Sequence, residues 1–422
     1  MQRYSEYKDS GVQWLGEIPS HWEVKRLRNF LTLFSEKGFG DSQLLSVTRE
    51  KGVILRDKEN KDENHNFVPD DLNGYKHLYT GDFVVNKMKS WQGSYGVSDY
   101  EGIVSPAYFT CKLKGVNPKF FSRAIRSKAY VAFFMQYSKG IRVDQWDLDP
   151  NSMKDIPFVL PNKKEQETIV NYLDSVTSKI DTAIAQQQKM IDLLNERKQI
   201  IINNAVTKGL NPNVKMKDSG VEWIGEIPEH WEVKKGKYLF RIVNELSTTG
   251  NEELLSVSDK TGVTPRSVKN ITMFMAESLI GYKKCQIGDI CSNIMWMWHA
   301  AVGVTKYEGV ISPSYSVYRQ YEKMFENEYL DLLLRLPRLV KLYSVLSTGL
   351  TESRLRLYPS EFLSIYFFIP PMSEQLGILD FIKLKCNPLE KEIVRLNKQI
   401  SLLQERKQII INDVVTGKVK VV

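Results

Sequence analysis

The strongest constraint on this chain is that it repeats itself at long range. KDSGVQWLGEIPSHWEVKR at residues 8–26 returns as KDSGVEWIGEIPEHWEVKK at 217–235, and LNERKQIIINNAVT at 194–207 returns as LQERKQIIINDVVT at 403–416. Fifteen of 19 positions match in the first pair and 11 of 14 in the second, both at an offset of 209 residues. A period that long means duplicated domains, not a solenoid of small units. The chain is therefore expected to fold as two copies of one device, and its partner is expected to be repeated or two-ended.

Both copies close with a long stretch rich in Leu, Ile, Gln, Glu, Lys and Arg, starting from Pro161 and Pro370 and interrupted only by Gly377 and Pro388 until Gly209 and Gly417. In the second copy Cys386, Leu389, Ile393, Leu396, Ile400, Leu403, Lys407 and Ile410 step by three and four, the seam of a coiled coil. The first copy carries the same seam more weakly, in Thr177, Ile180, Ile184, Gln187, Ile191, Leu194, Lys198 and Ile201. Helix starts are signalled by Asn162 with Glu165 three residues on, and by Ser373 before Glu374. Some 40 residues at about 1.5 Å each make a rod of roughly 60 Å. Two rods with matching seams are expected to pair antiparallel, leaving a globular domain at each end.

The intervening segments alternate short β-rich runs (DFVVN, GIVSPAYFTCKL, LLSVS, GVISPSYSVYR) with turn residues, and then turn helical, which predicts α+β domains. The expected division is residues 1–160 and 211–369 as the two domains, with the helices at 161–210 and 370–422. Anchors survive between the copies, LLSV at 44 and 254 and YEGIVSP at 100 against YEGVISP at 307, while the sequence between them diverges.

Catalytic signatures are missing. There is no phosphate-binding Gly-x-x-x-x-Gly-Lys-Ser/Thr loop, no Asn-Pro-Pro or Asp-Pro-Pro followed by Tyr or Phe to grip a flipped base, and no metal-spaced His or Cys pair among five histidines and four cysteines. His21 and His230 are one repeat position, expected to be structural beside Trp22 and Trp231. A net charge of +8 makes a polyanion a reasonable partner. With no apolar run long enough to cross a membrane and no signal peptide, a cytoplasmic protein with reduced cysteines is expected.

What remains are surfaces. The stretch from Asn86 to Tyr95 contains Lys87, Lys89, Trp91, Gln92, Ser94 and Tyr95, a mixture suited to anchoring phosphates and reading base edges. Its counterpart, with Asn293, Trp296 and His299, has no Lys or Arg. A second candidate loop precedes each rod, with Lys139, Arg142 and Gln145 in one copy and Arg354 and Arg356 in the other.

The duplicated Trp-containing openings, the two divergent domains, the helix entries Leu160-Pro161 to Glu165-Gln166 and Ile369-Pro370-Pro371 to Glu374-Gln375, and the repeated ERKQIIIN helix together resemble the specificity subunits of type I restriction-modification systems. The resemblance covers essentially the whole chain. It implies an α+β protein with two target-recognition domains in tandem pseudo-repeat, separated by two long helices forming an antiparallel coiled coil. It also implies that each domain reads one half of a bipartite, asymmetric site on double-stranded DNA, and that two modification subunits dock on this frame and methylate adenine N6. Restriction subunits would join them for cleavage. S-adenosylmethionine, ATP and magnesium would be used by those partners, with no catalytic residue, metal or cofactor on this chain. The competing readings are a protein-binding coiled-coil scaffold and a self-sufficient DNA-modifying enzyme.

Overall fold

The computed structural model describes residues 2–57, 68–140, 146–268, 278–351 and 354–421. Two compact units emerge, one made of residues 1–188 with 396–422, the other of residues 189–395. Each therefore contains a Trp-rich opening, an α+β domain and segments of both long helices, Lys163–Lys208 and Met372–Val415.

In the first unit an antiparallel four-stranded sheet runs in the order Leu31–Phe34, Phe109–Leu113, Phe83–Val85, Tyr95–Val97. A hairpin of Leu45–Thr48 with Gly52–Leu55 packs near it, and helices Pro118–Ile125 and Lys128–Tyr137 cover it through Phe120, Phe121, Phe133 and Phe134. The opening pairs Tyr7–Asp9 with Glu17–Pro19, and Glu23–Arg26 zips onto Pro157–Leu160 just before the rod begins. The anchor glycine of YEGIVSP has a steric cause: a Cβ on Gly102 would collide with the Gln43 carbonyl, which accepts the Ile103 N–H.

The second unit repeats this order. Phe240–Val243, Ser316–Gln320, Ile290–Ser292 and Val302–Val304 form its sheet, Asn327–Leu334 and Pro337–Leu346 its covering helices, and Gly309 meets the Glu253 carbonyl as Gly102 meets Gln43.

The helices run antiparallel within each unit. In the first, Ile169, Leu173 and Ile180 share a core with Ile410, Ile411 and Val414, and Lys407 pairs with Asp181 at 2.7 Å. In the second, Ile202, Ala205 and Val206 share one with Ile378, Ile382 and Cys386, and Lys198 pairs with Glu390 at 2.7 Å. Since 198 and 407, and 181 and 390, are repeat positions, one ion pair is built twice. It explains why each apolar seam contains a lysine. The seam residues Ile180, Ile191, Leu396 and Ile410 are buried, and Ile184, Leu194, Ile201, Leu389, Ile393, Ile400 and Leu403 are half-buried.

The helix entries differ from one another. The Asn162 side chain caps the first rod, accepting the Glu165 N–H at 3.0 Å. Ser373 was expected to cap the second but lies inside it, because the helix already starts at Met372 and the repeat equivalent of Asn162 is Pro371. Proline fixes φ near the helical value but offers no side-chain acceptor, so the Pro371 carbonyl takes the first turn's N–H groups of Glu374 and Gln375.

One residue behind each entry, a buried glutamine ties rod to domain. Gln166 accepts the Asn117 N–H at 2.9 Å and donates to the Pro161 carbonyl at 2.8 Å. Gln375 accepts the Glu326 N–H and donates to the Met324 and Pro370 carbonyls, each at 2.9 Å.

The histidines of the openings also serve this junction. His21 bonds Glu165 at 3.0 Å, and His230 bonds its repeat equivalent Glu374, whose other oxygen accepts the Trp231 indole N–H at 3.0 Å. In the first unit the Tyr4 hydroxyl takes the place of that indole, donating to Glu165 at 2.6 Å. All four cysteines are buried and free.

Candidate nucleic-acid interface

In each unit the fold brings the two candidate loops together. The Lys87 carbonyl accepts the Leu148 N–H, the Lys87 ammonium pairs with Asp147 at 2.9 Å, and Ser90 bonds Ser138 at 3.2 Å. Trp91 meets Trp146 edge to face at 5.6 Å. In the second unit the Ile294 carbonyl accepts the Leu357 N–H in the same way.

The loop at Asn86 and the loop at Asn293 share a backbone frame at an offset of 207 residues. Asn86 donates its N–H to the Ser94 carbonyl and Asn293 to that of Ala301; Lys89 donates to Asn86 and Trp296 to Asn293; Gln92 donates to Lys89 and His299 to Trp296. The side-chain amide of each asparagine, buried, donates to a tyrosine hydroxyl, Tyr108 at 3.2 Å and Tyr315 at 3.0 Å. Both loops then turn through a left-handed residue, Gly93 at φ 94° and Ala300 at φ 64°. Ala300 is the one residue other than glycine with positive φ among the described residues, a conformation costing roughly 1 kcal/mol.

The frame sorts the candidates by exposure. Lys89 is exposed, Lys87, Trp91 and Gln92 are half-buried, and Lys139 is exposed beside them. Ser94 and Tyr95 are buried: the Tyr95 ring stacks on Phe134 at 4.0 Å, in the core rather than at the surface, and burial drives its hydroxyl pKa upward. Arg142 and Gln145 lie outside the described residues.

In the second unit Asn293 is a buried part of the frame, while Trp296 is 53% exposed. Trp296 stacks with Trp298 at 5.8 Å and 12°, and with His299 at 5.7 Å and 26°. Arg354 and Arg356 are exposed and line a shallow cradle with Thr348, Leu350 and Tyr358. Guanidinium groups anchor phosphates, and aromatic faces offer stacking or apolar contact to bases. Among the described residues no cluster of three or more His, Cys, Asp or Glu could hold a metal ion, and no helix is long and apolar enough to cross a membrane.

Sequence reading missed a second surface on the repeated helix. Leu193 and Ile200 in one unit, and their repeat equivalents Leu402 and Ile409 in the other, are 49–55% exposed. Glu196 and Arg197, with Glu405 and Arg406, are exposed between them. Core packing does not account for identity at exposed apolar positions seven residues apart on one helix face. The signal was present in the sequence as repeat identity lying off the seam.

No family model matches the chain. It is similar to the putative type I restriction enzyme MjaX specificity subunit of Methanocaldococcus jannaschii, 27% identical over 241 residues, and that match spans about half of each protein, 52% of both. It is also similar to the type I restriction enzyme MjaVIII specificity subunit of the same organism, 23% identical over 455 aligned positions covering 100% of this chain and 98% of that one. A solved structure from work on complex assembly and conformational transition of the type I R-M system shares the fold, with TM-score 0.64 at 13% identity over 94% of this chain and 98% of its own. The duplicated frame, its unequal loops and this end-to-end similarity agree: along its whole length the chain is similar to a type I restriction enzyme specificity subunit.

Proposed function

We propose that this chain is the DNA-reading subunit of a type I restriction-modification complex, each unit binding one half of a bipartite, asymmetric site. The observation that carries this reading is the pair of loop frames with the same hydrogen-bond pattern and different exposed side chains. Equal frames bearing unequal surfaces suit two unequal half-sites.

The repeated patch of Leu193, Arg197 and Ile200, and of Leu402, Arg406 and Ile409, supports two identical protein partners, which we assign as modification subunits. Restriction subunits complete the assembly. Methyl transfer to adenine N6 with S-adenosylmethionine, and ATP- and magnesium-dependent cleavage, belong to those partners, since adenine in duplex DNA has to be flipped into a pocket built for it. The role of this chain is to place that pocket.

The test is methylation-sensitive sequencing of DNA exposed to the chain assembled with its modification partner. Methylation at one two-part, non-palindromic motif is expected, and none from the chain alone with S-adenosylmethionine and magnesium. Turnover by the isolated chain, or methylation without sequence preference, would overturn the reading.

A further inference from the structure

We propose that two positions in each loop, Lys89 with Gln92 and Trp296 with His299, set what each unit reads, and that the second unit reads thymine methyl groups through an apolar plate. The inference rests on the function proposed above. Aligned on their shared hydrogen bonds, the loops keep Met88 as Met295 and Trp91 as Trp298. The frame asparagine and its tyrosine partner are kept as well. Lys87, which becomes Ile294, is held by Asp147 at 2.9 Å. The surface chemistry free of such an ion pair among the described residues changes where Lys89 becomes Trp296 and Gln92 becomes His299, three residues apart across a single 3-10 turn. Residues i and i+3 of such a turn lie on one side, and the 5.7 Å contact of Trp296 with His299 shows it.

The chemistry of each pair follows. A lysine and a glutamine side by side can donate to guanine O6 and N7 and bond adenine N6 and N7. Trp296, Trp298 and His299 form one stacked aromatic surface with no Lys or Arg between Asn293 and Ala301. In the major groove the group that distinguishes a base by apolar contact is the thymine C5-methyl. Phosphate anchoring in that unit falls to the adjoining Arg354 and Arg356. The left-handed backbone of Ala300 fits this account, since strain retained without glycine marks a frame held in place for what it presents.

The experiment uses the assembled complex and reads preference both by DNA selection and by methylation. The exchange variant Lys89→Trp/Gln92→His should change the preferred bases in one half-site and leave the other intact, and Trp296→Lys/His299→Gln should do the reverse. The single variants Lys89→Ala and Trp296→Ala should each relax preference in one half-site only. Deoxyuridine in place of thymine should weaken wild-type binding by roughly three- to fivefold per methyl lost in the second half-site, and should cease to matter in Trp296→Lys/His299→Gln. Unchanged preference in both half-sites, changes that spread to both, or indifference to deoxyuridine would overturn the inference while leaving the proposed function standing. A wild-type complex without sequence preference would overturn both.

Discussion

Replacing Gln375 by leucine should destabilise the second unit out of proportion to the change in volume. The side chain is fully buried and makes three hydrogen bonds to backbone: from the Glu326 N–H, and to the Met324 and Pro370 carbonyls. Leucine fills much of the space but satisfies none of these groups. A buried backbone group left unpaired costs about 1–3 kcal/mol. Met324 and Glu326 are half-buried, so water can recover part of the loss there, whereas the Pro370 carbonyl sits under the helix entry. The expected cost is about 2–4 kcal/mol, which for a unit of this size lowers Tm by roughly 5–15 °C. Calorimetry on the full chain reads this directly. The internal control is Gln166→Leu, which removes two such bonds instead of three and should cost less. Gln375→Leu within about 0.5 kcal/mol of wild type, or a larger loss from Gln166→Leu, would refute the argument from backbone satisfaction.

Gln187 occupies a seam position with a buried side-chain oxygen that has no partner among the described residues, where the second copy has Leu396. Gln187→Leu should therefore stabilise the chain by about 1 kcal/mol in urea titrations, and a loss would show that the amide has a role in the seam. The Glu252 carboxyl is held down at about 2, first by the Ser247 hydroxyl and then by its own backbone N–H and Lys284. A lowered folded pKa means stabilisation that is complete above the ordinary value of 4.5 and lost as pH falls toward about 2. The difference in urea midpoint between wild type and Glu252→Gln should accordingly close across that window; a difference independent of pH would exclude ionisation as its source.

The two rods were legible because a coiled-coil seam is a one-dimensional pattern: periodicity alone marks Ile180 through Ile201 and Leu389 through Ile410. The start of the first rod was legible because Asn162 caps through its own side chain. The start of the second was not, since Pro371 leaves capping to a backbone carbonyl that looks the same in every residue. His21 and His230 could be assigned a structural role from repetition beside tryptophan, but their partners lie 144 residues away and only the fold brings them together. The candidate loops show the deeper limit. Tyr95 and Trp296 are both aromatic residues in corresponding loops, and residue type does not tell that one packs under Phe134 while the other faces outward. Side-chain direction is set by the hydrogen-bonded frame.

The duplication also exposes a junction at which charge was inverted and geometry kept. In the second unit Glu328 bridges Lys306 at 3.2 Å and Lys383 on the rod at 2.8 Å, which holds its carboxyl below the ordinary range. The repeat equivalents in the first unit are Asp99, Lys119 and Asp174, every sign reversed, and all three line one open cleft. No ion pair joins Lys119 to either aspartate among the described residues, because Asp174 is taken at 3.0 Å by Arg123, where the second unit has Leu332. Arg123 is thus the competitor that leaves the bracket open. A double-mutant cycle on Lys119 and Asp174 should give coupling near zero in wild type and about 0.3–0.8 kcal/mol in an Arg123→Leu background, the range for exposed pairs. The closed bracket calibrates the measurement, since Glu328 with Lys383 should show coupling of that size in the unaltered chain. Equal coupling of Lys119 with Asp174 in both backgrounds would mean that competition by Arg123 does not keep the two units different.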